Sequence, residues 1–392
     1  MKKIVGIIAA AALAASAFAE VNIGSWNRAV FEPFYYDGDT LRSYEGPSWG
    51  LNPQGGVRTG LGFSASSENA GMVMDIHGND GPSMGLGDNA YTWVKPVDML
   101  TLKFGKIDNN WGRLDHCFGT WDYARFNFGD QYLGEGLADI GRKKGAGAEI
   151  TLQPVEGLVI DYEANFGKAA ENHTYEVMWE NSSTMVGYQA DFGFIRAIVN
   201  GETARKYGDA SDTSPAASIA VAADITAVEN LVLKFGVKIP TYLQNSDSYV
   251  KAAAAVDYNL DALALHANAV LNVLPKKFEN NKATLGNIGA AFGVGVDYAF
   301  SDSWKLVTDF RFKTWSNENT ADLTDIKLED PAFGAYIGLQ QQLTNATFAF
   351  GAQFGKGSMH TMHSDVKDSD GKLTKRGDDF TFAVPLTMTV SF

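Results

Sequence analysis

Phe380-Thr381-Phe382-Ala383-Val384-Pro385-Leu386-Thr387-Met388-Thr389-Val390-Ser391-Phe392 closes the chain. Every second residue, from Phe380 to Phe392, is large and apolar, and the residues between are small or polar. Successive side chains of a strand point to opposite faces, so this stretch reads as a strand with one greasy face. At about 3.3 Å per residue it would span roughly 43 Å. A strand tilted by about 45° needs only ~9–11 residues to cross a bilayer. Taken alone, the stretch also suits the last strand of a soluble β-sandwich.

The other end of the chain shifts that balance. Lys2 and Lys3 precede an apolar run from Ile4 to Ala15, followed by Ala17-Phe18-Ala19. That is the layout of a cleaved secretory signal peptide. The expected organisation is residues 1–19 as the leader and residues 20–392 as one exported domain. Losing the leader takes Lys+Arg from 32 to 30 against 46 Asp+Glu, a net charge of about −16. Such a chain has no basic surface with which to neutralise phosphates, which argues against nucleic acid as a partner. The single cysteine, Cys117, cannot form an internal disulfide. No later run approaches ~18 apolar residues, the signature of a membrane-crossing helix.

Between the ends runs a repeated hairpin. Val97-Asp98-Met99-Leu100-Thr101-Leu102-Lys103-Phe104-Gly105 closely matches Val228-Glu229-Asn230-Leu231-Val232-Leu233-Lys234-Phe235-Gly236, and Val155-Glu156-Gly157-Leu158 is a shorter echo. Further tight turns are expected near Asn69, Asp191, Leu260, Ser301 and Asn345, eight in all. Long polar connections alternate with them, over about 37–56, 79–88, 108–143, 167–183, 201–215, 240–248, 273–286, 315–331 and 356–378. Eight hairpins with a first and a last strand make eighteen, with sixteen as the alternative count.

The alternating last strand ending in Phe resembles the C-terminal assembly signal of Gram-negative outer-membrane β-barrels, carried by Phe382, Val390 and Phe392. With the leader and the short-turn, long-loop asymmetry, the whole chain resembles the outer-membrane porin-like barrel superfamily. The resemblance implies an all-β, transmembrane, antiparallel up-and-down barrel, multi-pass in the cell outer membrane, with short periplasmic turns and long extracellular loops. Its partners would be the lipid bilayer, the barrel assembly machinery, small hydrophilic solutes and copies of itself in a homotrimer. The function it implies is passive diffusion through a water-filled lumen, with no enzyme activity and no cofactor. A non-transporting surface protein, an adhesin or antigen binding ligands through its loops, is the alternative, and an outer-membrane enzyme is a third.

Alternation assigns the faces. Leu100, Leu102 and Phe104, Leu231 to Ile239, Phe292 to Tyr298, and Phe348, Phe350 and Phe354 point to lipid. The opposite face carries the lumen-wall candidates Arg58, Lys103, Arg196, Lys234, Lys238, Lys305 and Arg311, with Asp75, His77, Glu149, Asp161, Glu163, Lys251, Asp257, His266, Asp297, Asp309 and Lys313 among them. Trp26, Trp93, Trp304, Trp315, Tyr35, Tyr36 and Tyr91 lie near strand ends, where aromatic belts form.

The connection from Asp108 to Lys143 follows the fifth strand. In general-diffusion porins the loop at this position folds inward and narrows the pore. Here it holds Asp108, Asp115, Asp122, Asp130, Glu135 and Asp139 against Arg113 and Arg125, with seven aromatic rings from Trp111 to Tyr132. Rings gain little in water and about 25 cal/mol per Å² when buried against a wall. Acidic loop groups facing wall cations would set a transverse field across the pore. An extracellular lid or a sugar-stacking track are the other readings of this composition.

Other candidates fall away on chemistry. His116 and Cys117 are adjacent, so on an extended chain they point apart, and an incidental thiol is the better reading. His360, His363 and Asp365 fall short of a closed zinc site with its second shell. Asp368-Ser369-Asp370-Gly371 fails as a calcium loop because Val366 and Gly377 occupy positions that need oxygen donors. No metal site and no catalytic motif is expected.

Overall fold

In the computed structural model the described residues are 20–36, 41–42, 55–79, 84–109, 111–112, 144–165, 175–206, 209–240, 250–279, 282–314, 332–356, 366–367, 373–374 and 380–392. The expected leader, residues 1–19, lies outside them. Eighteen long strands form one closed antiparallel barrel. They are β1 (Glu20–Tyr36), β2 (Gly55–Ser66), β3 (Ala70–Asn79), β4 (Met84–Val97), β5 (Leu100–Asp108) and β6 (Lys144–Leu152). Then come β7 (Leu158–Asn165), β8 (Ser182–Ala190), β9 (Gly193–Lys206), β10 (Asp209–Ile225), β11 (Leu231–Pro240) and β12 (Val250–Leu260). The last six are β13 (Leu263–Glu279), β14 (Lys282–Ala299), β15 (Trp304–Lys313), β16 (Ala332–Gln342), β17 (Ala346–Lys356) and β18 (Phe380–Ser391). A two-residue strand, Leu41–Arg42, folds back on β1, and one helical turn, α1 (Tyr175–Glu180), lies between β7 and β8.

All eight expected turns join consecutive strands in two to five residues. The turns after Val155 and Val228 share one geometry. Leu158 N bonds Val155 O at 3.2 Å and Leu231 N bonds Val228 O at 3.1 Å. Each has a left-handed third residue, Gly157 at φ 79° and Asn230 at φ 61°. Gly and Asn are the residues that adopt this conformation at least cost.

Two polar stretches expected as loops are largely strand. β9 and β10 cover most of 201–215, and β13 and β14 most of 273–286. An antiparallel ladder satisfies backbone groups whatever the side chains are, so polar residues extend these hairpins beyond the length lipid requires. Strands of 17 and 18 residues result.

β18 closes the barrel on β1, from Trp26↔Ser391 to Tyr36↔Phe382. Ser25 and Phe392 exchange both backbone hydrogen bonds, at 3.0 and 2.8 Å. The register slips between Phe31 and Phe34, where β1 uses one more residue than β18. Pro33 and Pro385 both fall in this interval. Neither has an N–H to give the ladder, and a bulge absorbs the loss.

Exposure alternates as the periodicity predicts. Phe292, Val294, Val296 and Tyr298 are exposed, whereas Ala291, Gly293, Gly295 and Asp297 between them are buried. The outer face is apolar and the inner face mostly polar. The aromatic belt needs correcting. Trp26, Tyr91 and Trp93 face inward: Trp26 stands edge-on to His77 at 5.3 Å, and Lys103 Nζ lies 5.6 Å from the Tyr91 ring. Glycines make the room. A Cβ at Gly60 would meet the Trp26 ring at 2.3 Å, and one at Gly71 the Trp93 ring at 2.6 Å. Trp304 stays on the outer face against Phe350, and Trp315 lies outside the described residues.

The two faces should respond oppositely to charge. Phe235→Arg places a cation against lipid near the middle of β11 and should cost about 2–4 kcal/mol. Lys234→Ala, one residue away on the inner face, should cost less than about 1 kcal/mol. Equilibrium unfolding from lipid vesicles measures both, and equal costs would refute the facing.

Candidate functional site

The inner wall carries charge in local pairs. Lys103 on β5 pairs with Glu149 on β6, its Cα partner. Arg196 Nη1 lies 3.1 Å from Asp224, Lys238 Nζ 2.9 Å from Glu202, and Lys305 Nζ 3.3 Å from Asp297. Arg311 Nη2 lies 2.7 Å from Asp309, two residues back on the same strand. Period-2 geometry and the ladder register produce these contacts. Lys103–Glu149 lies directly across a strand pair and Arg311–Asp309 two residues apart, Arg196–Asp224 and Lys305–Asp297 are diagonal, and Lys238 reaches past β10 to Glu202, all on one face.

Near β1 the wall is basic and aromatic. Arg28 and Arg58 lie 4.5 and 5.5 Å from the Trp26 ring centre, and Arg58 Nη2 lies 3.0 Å from His77 Nδ1. Round the wall, His266 Nδ1 lies 2.6 Å from Asp257, with Asp297 3.7 Å from Nε2. Lys234 stands on the same inner row as Asp224 and Ala255.

Part of the wall is apolar, which alternation did not foretell. Met185, Ile198, Ala220, Ala222, Ala253, Ala255, Val270 and Ala291 form one buried patch on the inner face of β8 to β14. Around Ile198 both parities are apolar, in Ile195-Arg196-Ala197-Ile198-Val199, so period-2 reading gives no face there.

Against this patch packs Trp111, three residues past the end of β5. Its carbonyl accepts a hydrogen bond from Arg196 Nε on β9. Asn109, 4% exposed, donates Nδ2 to Glu163 Oε2 on β7. Asp108 ends β5 and is buried, its backbone N–H donating to Asn89 Oδ1 at 3.2 Å. Of the candidate loop residues, Arg113, Asp115, Asp122, Arg125, Asp130 and Glu135 lie outside the described residues, as do Cys117, His360 and His363. The chain flanking the rejected calcium loop pairs as a small hairpin, Val366–Lys367 with Leu373–Thr374. Among the described residues no three His, Cys, Asp or Glu side chains are arranged to hold a metal.

The Lys103–Glu149 pair is testable on its own. Lys103→Ala strands Glu149, which is 3% exposed, and should destabilise the barrel by about 1–3 kcal/mol. Adding Glu149→Gln should restore part of that loss. A double-mutant cycle in vesicle unfolding reads the coupling, and additive effects would refute it.

No family model matches the chain, and no curated protein does. Solved structures match nearly end to end. OpdL of Pseudomonas aeruginosa is 9% identical, with 95% of this chain and 98% of that one covered and a TM-score of 0.51. OmpT of Vibrio cholerae, an outer membrane protein in its trimer form, is 12% identical over 96% and 100%, with a TM-score of 0.48. The anion-selective porin from Comamonas acidovorans is 11% identical over 95% and 100%, with a TM-score of 0.43. At these identities the likeness is one of fold. In fold, the chain is a closed antiparallel β-barrel similar to that of OpdL.

Proposed function

We propose that the barrel, exported with residues 1–19 removed, lets small hydrophilic solutes diffuse passively through its lumen, and that segment 108–143 narrows the path. The observation that carries the reading is the contact of Trp111 with Arg196. Arg196 lies only three residues beyond the start of β9 at Gly193, low on the wall and close to the short turn 191–192. Trp111 follows the opposite, upper end of β5. Reaching Arg196 takes the chain into the barrel rather than over its rim. Asn109 on Glu163 and Trp111 on the inner apolar patch point the same way.

Selectivity would then come from the balance between the segment and the wall. Lys103, Arg196, Lys238, Lys305 and Arg311 are each matched by a nearby carboxylate. Arg58 stands with Arg28 beside the neutral ring of Trp26. Acidic groups of the segment, set against that basic wall, would give the transverse field that sorts polar solutes.

Planar-bilayer recording tests the pore. Discrete, stable conductance steps are the expected result, and a folded but silent barrel favours the surface-protein reading. Deleting residues 114–138 should raise the step size, and an unchanged step would show that the segment does not narrow the path. Neutralising Asp115, Asp122 and Asp130 together should move the reversal potential in a salt gradient toward anion preference.

A further inference from the structure

The outer face of β7 to β9 changes toward its upper end, where the long connections leave. Lower down it is open: Tyr162, Val186 and Val199 are 42%, 46% and 39% exposed. Two to four residues above them the same face closes. Ala164 and Ser182, Cα partners on β7 and β8, are each 6% exposed, and Gly201 on β9 is buried. Their facing follows from their neighbours. Ser183 and Asn200 meet on the inner face, with Ser183 Oγ donating to Asn200 Oδ1 at 2.6 Å. Adjacent residues of a strand point to opposite faces, so Ser182 and Gly201 point outward.

The cover is α1, the helical turn that leads into β8. Ser182 Oγ donates to the Trp179 carbonyl at 2.9 Å. The Trp179 indole Nε1 donates to the Ala216 carbonyl on β10 at 2.5 Å. A Cβ at Gly201 would overlap the Trp179 carbonyl, so a glycine at this position makes the seat. Ala217, the Cα partner of Gly201, continues the row of small residues. α1 therefore lies against the outside of the wall. Met178, next to Trp179, is 49% exposed. The level is the upper edge of the apolar band: Tyr188 and Val186 on β8 give way to Thr184 and Ser182, and Ile195, Ala197 and Val199 on β9 give way to Gly201. An indole has a large apolar body and one donor, which suits the boundary between hydrocarbon and water.

We propose that α1 is a membrane-interface anchor, with Met178 and Trp179 in the boundary layer of the lipid that surrounds the barrel. The anchor holds the return of the β7–β8 connection on the outside of the wall, away from the mouth of the lumen. This rests on the reading of the barrel as membrane-spanning, and adds to it a lipid contact made by a connection rather than by a strand. Lipid is the occupant because α1 continues the open apolar face formed by Tyr162, Val186 and Val199 directly beneath it.

The test uses the mature barrel in lipid vesicles, with Cys117→Ser removing the one native thiol. Met178→Cys carries a nitroxide label. Val199→Cys is the reference for the apolar band, and Glu229→Cys, in the exposed turn 226–230, is the reference for water. Relaxation by oxygen, which concentrates in lipid, against a nickel chelate, which stays in water, reads the depth. The Met178 label should fall between the two references, and Trp179→Ala should shift it to the Glu229 value. Heat-modifiable mobility on gels reports folding, and Trp179→Phe, expected to give a smaller shift the same way, replaces an alanine variant that fails to fold. With Val199 reading as lipid, a Met178 label as open to the chelate as Glu229 would overturn the anchor. So would a depth that the folded Trp179 variants leave unchanged. Shielding from both reagents would put a second copy of the chain on this face and overturn the lipid assignment. A Val199 label that reads as water would instead remove the membrane-spanning reading on which the anchor rests.

Discussion

An unpaired backbone N–H or C=O is costly wherever water cannot reach it, and the closed sheet of this chain leaves no long strand with an open edge. A strand that crosses a bilayer must find partners for its backbone on both sides, so the sheet has to close. The closure between β1 and β18 is therefore the contact on which the rest depends. It is also where the sequence places two prolines, Pro33 and Pro385, and the register slips there by one residue. The seam survives because lost bonds are confined to one interval and the ladder resumes beyond it. At the far end, Ser25 and Phe392 lock the rim with a reciprocal pair of backbone bonds. The alternation of residues 380–392 then puts Phe380, Met388 and Phe392 on the exposed face and buries Thr381, Ala383 and Thr387.

Much of this was legible because a transmembrane strand obeys a two-residue period with an apolar partner on one side only. Strand number, the eight turns and the outer faces of β5, β11, β14 and β17 follow from that rule. It failed where a second influence entered. Trp26, Tyr91 and Trp93 read as interfacial belts from their positions near strand ends, but facing is set by parity, and Gly60 and Gly71 leave space for the indole rings inside. The polar hairpin arms of β9–β10 and β13–β14 read as loops because composition reports solvent, and water tolerates strand and loop alike. Of the candidate site, the charged residues of the inner face were legible one at a time. Their pairing was not, since it depends on cross-strand register. Lys103↔Glu149 emerges only once Leu100 is seen opposite Leu152.

Pairing changes the meaning of the wall charges. A row of isolated cations would create a strong field in the lumen; a row of matched pairs creates dipoles that fade within a few ångströms. Excess charge therefore matters more than total charge. Among the described residues, Arg28 and Arg58 gather beside Trp26, where cation and aromatic ring share the inner face.

The apolar patch on β8–β14 gives a direct physical reason for Trp111 to turn inward. Ile198, Met185 and Val270 line the inside of a barrel whose inner face is mostly polar, and they are 0–3% exposed. Bare in a water-filled lumen, such side chains would forgo the burial that favours apolar groups elsewhere, at about 25 cal/mol per Å². The alanines beside them, at 220, 222, 253, 255 and 291, keep the wall shallow enough to receive a bulky partner. Trp111 is one such partner, held by its carbonyl on Arg196 and its ring on the patch.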